Sequence, residues 1–262
     1  GKSESEIRAA LEASILLFNV ESVPEGRAIA RASDELGVRA PVALRVNPDV
    51  DAQTHAYTTT GRKGTKFGID IDSVVPAFEE LARLPALDVC GVHAHIGSPV
   101  TTVDAFDLAF ARLADLVDVL SDRGIRITRL NVGGGLPIVY RDEKPISARA
   151  YAERVVPHVR ATGCQLILEP GRFISGNSGI LCTRVLYRKE TNHKTFVIVD
   201  GSMTELLRPS LYGSWHRIDP VAEADGRVET VDIVGPVCES GDFLAKDREI
   251  ARVDEGEYLA VF

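Results

Sequence analysis

Long apolar runs, clustered basic residues and closely spaced cysteines are all missing from this sequence of 262 residues, and each absence removes a class of function. No stretch approaches the roughly 18 to 20 consecutive apolar residues that a membrane-spanning helix needs. The opening GKSESEIRAA lacks the charged-then-apolar layout of a secretion signal, so a cytoplasmic protein is the expectation. With 30 lysines and arginines against 38 acidic residues, the net charge of -8 disfavours a nucleic-acid partner, which would be held through clustered cations. Cys90, Cys164, Cys182 and Cys238 show no CxxC or metal-ligand spacing, so neither a disulfide framework nor a metal site is expected. Methionine occurs once, at Met203, and the chain starts at Gly1. That fits either a removed initiator or a chain that is part of something longer.

What is present is enough apolar residue, 45%, to bury a core. Up to about residue 175, β-branched runs alternate with amphipathic stretches, the pattern of β/α units around a parallel sheet. The spacing predicts strands over 15–20, 42–46, 89–95, 127–132 and 164–168. Helices are predicted over 7–11, 24–36, 71–84, 103–120 and 148–162, with Ser22 and Asp104 as caps. Residues 49–64 are a polar stretch with neither pattern, a place for lid motion. From Ile180 onward, runs such as TFVIVDG and ETVDIVGPVC alternate without long helices, which predicts a second, mostly β domain. The division drawn is 1–177, a partial (β/α) barrel, and 178–262, a β domain. Five strand–helix units do not close an eight-stranded barrel, which needs about 250 residues for itself. The sheet is therefore open or units are missing, and both ends of the chain read as unfinished.

Each predicted strand hands over to a polar or glycine-rich segment: NVES, RVNPD, HAHIGSP, NVGGGLP and LEPGR. Loops after the carboxyl ends of parallel strands converge on one face, where ligands bind. In NVGGGLP, Gly133, Gly134 and Gly135 would let backbone amides approach a phosphate; a tight turn without a ligand is an equal alternative. In LEPGR, Glu169 could hold a heterocyclic nitrogen protonated and Arg172 could bind an anion, against the plainer reading of an ion pair between them. HAHIGS places His93 and His95 on one face of a strand, suited to metal chelation only if further ligands exist, or to stacking on a flat ring with Ser98 toward its phosphate. In VCESGDFL, Cys238 offers a soft acid and Glu239 a carboxylate for an ammonium group. Arg208 and Tyr212 lie four apart in RPSLYG and could converge on a carboxylate, or be a surface arginine and a packed tyrosine.

Taken in order, ILLFNVES, ALRVNPDVDAQTHAYTTTGRKGTKFGI, GVHAHIGS, NVGGGLP, LEPGR, VDGSMTELLRPSLYG and GPVCESGDFL resemble the fold-type III pyridoxal-phosphate-dependent amino-acid decarboxylases across nearly the whole chain. The resemblance implies an eight-stranded barrel with a C-terminal β domain, and homodimers whose active sites are shared. It implies that His95 stacks on pyridoxal 5'-phosphate, that Ser98, Gly133, Gly134 and Gly135 contact its phosphate, and that Glu169 pairs with its ring nitrogen. Gly171 and Arg172 would complete the cofactor contacts. Arg172, Arg208 and Tyr212 would bind the carboxylate at the far end of an amino-acid substrate, Glu239 would select its amino group, and Cys238 would donate a proton across the dimer. The implied reaction is decarboxylation of meso-2,6-diaminopimelate to L-lysine and carbon dioxide. Alternatives are a decarboxylase of ornithine, arginine or a carboxylated polyamine, and a non-catalytic binding or regulatory homologue.

One departure stands out. The family's cofactor-linking lysine lies in a motif resembling YAVKAN, which is missing here; Lys2, Lys63, Lys66, Lys144, Lys189, Lys194 and Lys246 occur in other contexts. The resemblance therefore implies the middle of a longer enzyme, without decarboxylase activity of its own.

Overall fold

The computed structural model describes residues 1–51, 64–223 and 226–262, so most of the polar stretch 49–64, Lys63 included, lies outside the described residues. The first elements are α1 (Glu4–Glu12), β1 (Phe18–Val20), α2 (Val23–Leu36), β2 (Ala40–Asn47) and β3 (Ile69–Asp70). A 3-10 turn at Ile71–Ser73 leads to α3 (Val74–Ala82), β4 (Leu87–His93), α4 (Val103–Asp122), β5 (Arg129–Asn131), α5 (Ala148–Thr162), β6 (Gln165–Ile167) and α6 (Gly171–Ser175). Then follow β7 (Leu181–Glu190), β8 (Thr195–Val199), α7 (Arg208–Tyr212), β9 (Ile218–Pro220), β10 (Val228–Val234), β11 (Phe243–Ala251) and β12 (Tyr258–Val261). The described residues divide into two compact units, Gly1–Pro137 with Pro145–Phe173, and Ile138–Lys144 with Ile174–Phe262.

In the first unit the strands run in the order β1-β2-β4-β5-β6, with the short β3 added to β2, and every pairing is parallel. β2, APVALRVN, is buried along nearly its whole length, as a strand covered on both faces must be. Phe78, Phe106, Phe110, Leu113 and Leu120 fill the layer between strands and helices. Phe106 stacks on Phe110 with centroids 5.9 Å apart and meets Tyr151 of α5 edge-on at 4.8 Å, which locks α4 to α5. Ser22 caps α2 through its side chain, 3.3 Å from Glu25 N, and Gly37 ends that helix in the left-handed region. Asp104 is not the cap of α4 that the sequence suggested. Thr102 holds that position, and Asp104 sits in the first turn, where its charge still complements the helix dipole.

The sheet is curved. In a flat sheet β1 and β6, four spacings apart, would stand about 19 Å from each other. Instead Asn19 Nδ2 of β1 lies 3.0 Å from Glu169 Oε1, two residues beyond β6. The strands therefore curl around a common interior as a partial α/β barrel, and their carboxyl ends close on one another.

The second unit is a mixed sheet in the order β11-β10-β8-β7-β12-β9, antiparallel throughout except between β8 and β10. Val185, Val197, Val199, Val231, Ile233, Leu244 and Leu259 form its core. Arg188 grips Glu229 through both Nη atoms, at 2.7 and 2.8 Å, and so ties β7 to β10 beside that core. Among the described residues no helix is long and apolar enough to cross a membrane.

The aromatic joint makes a testable demand. Phe106→Ala should lower unfolding free energy by about 3–5 kcal/mol in a denaturant titration. A loss below about 1 kcal/mol would mean that the α4–α5 seam is not part of the core.

Candidate active site

The site begins where β4, β5 and β6 stop. The backbone ladder continues past the strands: Ala94 N donates to Asn131 O at 2.9 Å, Val132 N to Ile167 O at 3.0 Å and Glu169 N to Gly133 O at 2.7 Å. Three chains thus run side by side with no room for side chains between them. A Cβ on Gly134 would lie 2.1 Å from Glu169 O, one on Gly133 2.6 Å from Ala94 O, and one on Gly135 2.4 Å from Gly97 O. Gly133 and Gly135 also carry positive φ, 66° and 112°. Val100 N donates to Gly135 O at 2.9 Å, which draws the Gly97–Ser98 turn against the glycine run.

β4 ends at His93, so the two histidines do not share a strand face as the sequence suggested. His93 turns toward Glu169 and His95 toward the glycines. Gly134 N donates to His95 Nδ1 at 3.2 Å, so in the neutral ring the proton resides on Nε2. Burial, with Arg45 and His93 adding repulsion, lowers the His95 pKa to about 4, and the imidazole is neutral at physiological pH. Arg45 of β2 is itself fixed, with Nη1 2.5 Å from Glu21 Oε1 and its guanidinium carbon 4.7 Å from the Phe67 ring centroid. The other Glu21 oxygen accepts from Gly68 N at 2.8 Å.

Glu169 is the electrostatic centre. Its Oε1 accepts from Asn131 Nδ2 at 2.7 Å and Asn19 Nδ2 at 3.0 Å, while Oε2 lies 3.6 Å from His93 Nε2. His93 foremost, then Asn131, outweigh the opposing effect of burial and hold the carboxyl at about 2. The side chain remains 43% exposed, so a ligand can reach a carboxylate that stays ionised. Gly171 and Arg172 open α6 directly after it, with Gly171 N donating to Glu169 O at 2.9 Å.

The remaining candidates belong to the second unit. Arg208 and Tyr212 share α7; the Arg208 guanidinium lies 6.0 Å from the Tyr212 ring and 4.9 Å from that of Tyr140, and Nη2 donates to Ser214 Oγ at 3.0 Å. Cys238 and Glu239 are exposed on the turn between β10 and β11. That turn is built on Asp242, 4% exposed, whose carboxylate accepts from Met203 N at 2.7 Å and Val237 N at 2.8 Å. Ser210 Oγ donates to Gly241 O, linking α7 to the same turn.

Within the first unit, then, His95, the loop of Ser98, the three glycines, Glu169 and Gly171 gather at one end of the sheet. Sequence pattern does not single out Asn19, Asn131 or Tyr140 and assigns His93 no role. Asn19 and Asn131 stand in strand-end motifs already marked as site-forming, a signal that was available; Tyr140 stands in an unremarkable loop.

Residues 1–176 match the model of a family described as "Pyridoxal-dependent decarboxylase, pyridoxal binding domain". The whole chain aligns with the diaminopimelate decarboxylase of Vibrio cholerae at 47% identity, covering 63% of that protein, and with that of Pseudomonas aeruginosa at 48%, again covering 63%. It also superposes on the crystal structure of Helicobacter pylori diaminopimelate decarboxylase complexed with L-lysine, with TM-score 0.93, 37% identity, and coverage of 100% of this chain and 65% of that one. The chain thus spans less than two thirds of the length of these relatives.

Within the site, two depressed pKa values contribute to the acid response. His95 is neutral when folded but protonates near 6.5 when unfolded, so its contribution is complete above pH 6.5 and fades as pH falls toward about 4. Glu169 contributes above pH 4.5 and fades toward about 2. Urea midpoints should therefore fall between pH 7 and pH 4, and less steeply in His95→Asn. Equal slopes in both proteins would contradict the neutral His95.

Proposed function

Because the chain belongs to the pyridoxal-dependent decarboxylase family through its pyridoxal-binding domain, we propose that it binds pyridoxal 5'-phosphate at the carboxyl ends of β4, β5 and β6 and serves the decarboxylation of meso-2,6-diaminopimelate to L-lysine and carbon dioxide. The observation that carries this reading is Glu169: a half-exposed carboxylate kept ionised beside a neutral imidazole and a glycine run. When bound, the protonated pyridine ring supplies an electron sink for the pair released as carbon dioxide leaves.

The residues fit that group. Glu169 would face the ring nitrogen and keep a proton on it, which only an ionised carboxylate can do. His95, neutral and tethered by Gly134, would offer a flat ring face without placing a second positive charge beside that proton. Gly133 N and Gly134 N are already directed at Asn131 Oδ1 and His95 Nδ1, so these two glycines serve by shape. Gly171 N is likewise directed at Glu169 O, so donation to the phosphate falls to Gly135, Ser98 and Arg172.

For the substrate, Arg208, with its guanidinium carbon 4.9 Å from the Tyr140 ring and 6.0 Å from that of Tyr212, suits a far-end carboxylate, and Glu239 suits the ammonium group next to it. Cys238 Sγ, exposed on its turn, would return a proton to the carbon that has lost its carboxylate, acting on the site of the other protomer in a cytoplasmic homodimer. An ornithine or arginine substrate has no far carboxylate for Arg208 to bind. The names of the relatives, and the L-lysine in the Helicobacter pylori structure, support the same substrate and product.

Carbon dioxide release by the protein and its variants, each produced in the native host, tests the reading. Diaminopimelate should be turned over in preference to ornithine, with Arg208→Met raising KM for diaminopimelate. Glu169→Gln should retain pyridoxal phosphate but lose roughly 10²–10³-fold in kcat. A preference for ornithine, or full turnover by Glu169→Gln, would overturn it.

A further inference from the structure

We propose that Asn131 is a positioning residue that joins the two anchor points of the cofactor, the ring-nitrogen carboxylate and the glycine run, into one unit. The inference rests on the reading of Glu169 given above, and concerns how that carboxylate is kept in place.

Asn131 ends β5 and is 2% exposed. Its carboxamide is used at both ends. Nδ2 donates to Glu169 Oε1 at 2.7 Å and, at 3.4 Å, reaches Asn19 Oδ1; Oδ1 accepts from Gly133 N at 3.0 Å. Its backbone oxygen accepts from Ala94 N at 2.9 Å, one residue before His95. A single side chain thus spans the Glu169 carboxylate, just past β6, and the first glycine, while its own backbone binds the exit of β4.

The chemistry of the position is specific. The carboxylate requires a donor and the Gly133 amide requires an acceptor, less than the length of a side chain apart. An aspartate can accept from Gly133 but repels Glu169; a serine is too short to do both; only an amide of this length meets both demands. Among the described residues, the titratable groups acting on Glu169 are His93 and His95, while Arg45, itself paired with Glu21, faces His95. With the donor of Asn131 gone, Asn19 from β1 would be the one amide left on Oε1 among the described residues.

Asn131→Asp is the informative variant, because it keeps the shape and the Gly133 bond while placing a second carboxylate where the donor was. Two like charges at that distance cannot both stay ionised without cost. The test uses the 262-residue protein and two readouts. The first is a carbon-13 titration of the Glu169 carboxyl, assigned by its loss in Glu169→Gln. The second is the dissociation constant for pyridoxal 5'-phosphate at pH 7. In Asn131→Asp the carboxyl titration should move up by one pH unit or more, and cofactor binding should weaken roughly tenfold or more. Asn131→Ala, which removes the donor without adding charge, should move both in the same direction by less, and serves in place of the aspartate variant if that one does not fold. Unchanged titration and affinity in either folded variant would overturn the role of Asn131. Failure of the unsubstituted protein to bind pyridoxal phosphate would instead overturn the proposed function, while the carboxyl titration would still decide the positioning role.

Discussion

A carboxylate kept negative in a half-buried place is the constraint around which the first unit is organised. Burial alone would favour the protonated form of Glu169, and the structure opposes that with His93, Asn131 and Asn19. Those partners come from β4, β5 and β1, so the charge is stabilised only if the sheet curls enough to bring its outer strands together. The curl in turn depends on a continuous apolar layer beneath the helices, where Phe78, Phe106 and Phe110 sit. Core, curvature and charge are one chain of dependence: large side chains shape the sheet, the sheet gathers the strand ends, and the strand ends supply the dipoles.

The two units solve different problems. In the first, the polar groups stand at or just past strand ends and are cross-tied by backbone hydrogen bonds, so His95 and Glu169 are presented by rigid elements. In the second, Arg208, Tyr212, Cys238 and Glu239 stand on a short helix and a turn, anchored from below by buried Asp242 and linked by Ser210.

Much of this was legible in the sequence, because the features concerned are local. The apolar spacing over 148–162 coincides with α5, Ser22 caps α2, and the five strand-end motifs mark where the parallel strands give way to site loops. The glycine run could be read as a place of close approach, although only the structure reveals that neighbouring carbonyls, and not a ligand alone, exclude a Cβ. What sequence could not supply were partnerships across long separations. Asn19 meets Glu169 from 150 positions away, and His93, an unassigned neighbour of His95, acquires its role from the same carboxylate. Local pattern also failed where two elements compete for one residue: Ile69–Asp70 pairs with β2 immediately before the 3-10 turn at Ile71, and Thr102 precedes Asp104 as the cap of α4.

The central claim is that Glu169 keeps the ring nitrogen of a bound pyridoxal phosphate protonated. Nitrogen-15 NMR of the protein loaded with ring-labelled pyridoxal 5'-phosphate addresses it directly. The account predicts a protonated ring nitrogen at pH 7 whose signal moves to the unprotonated position in Glu169→Gln; an unprotonated nitrogen in the unsubstituted protein would contradict it.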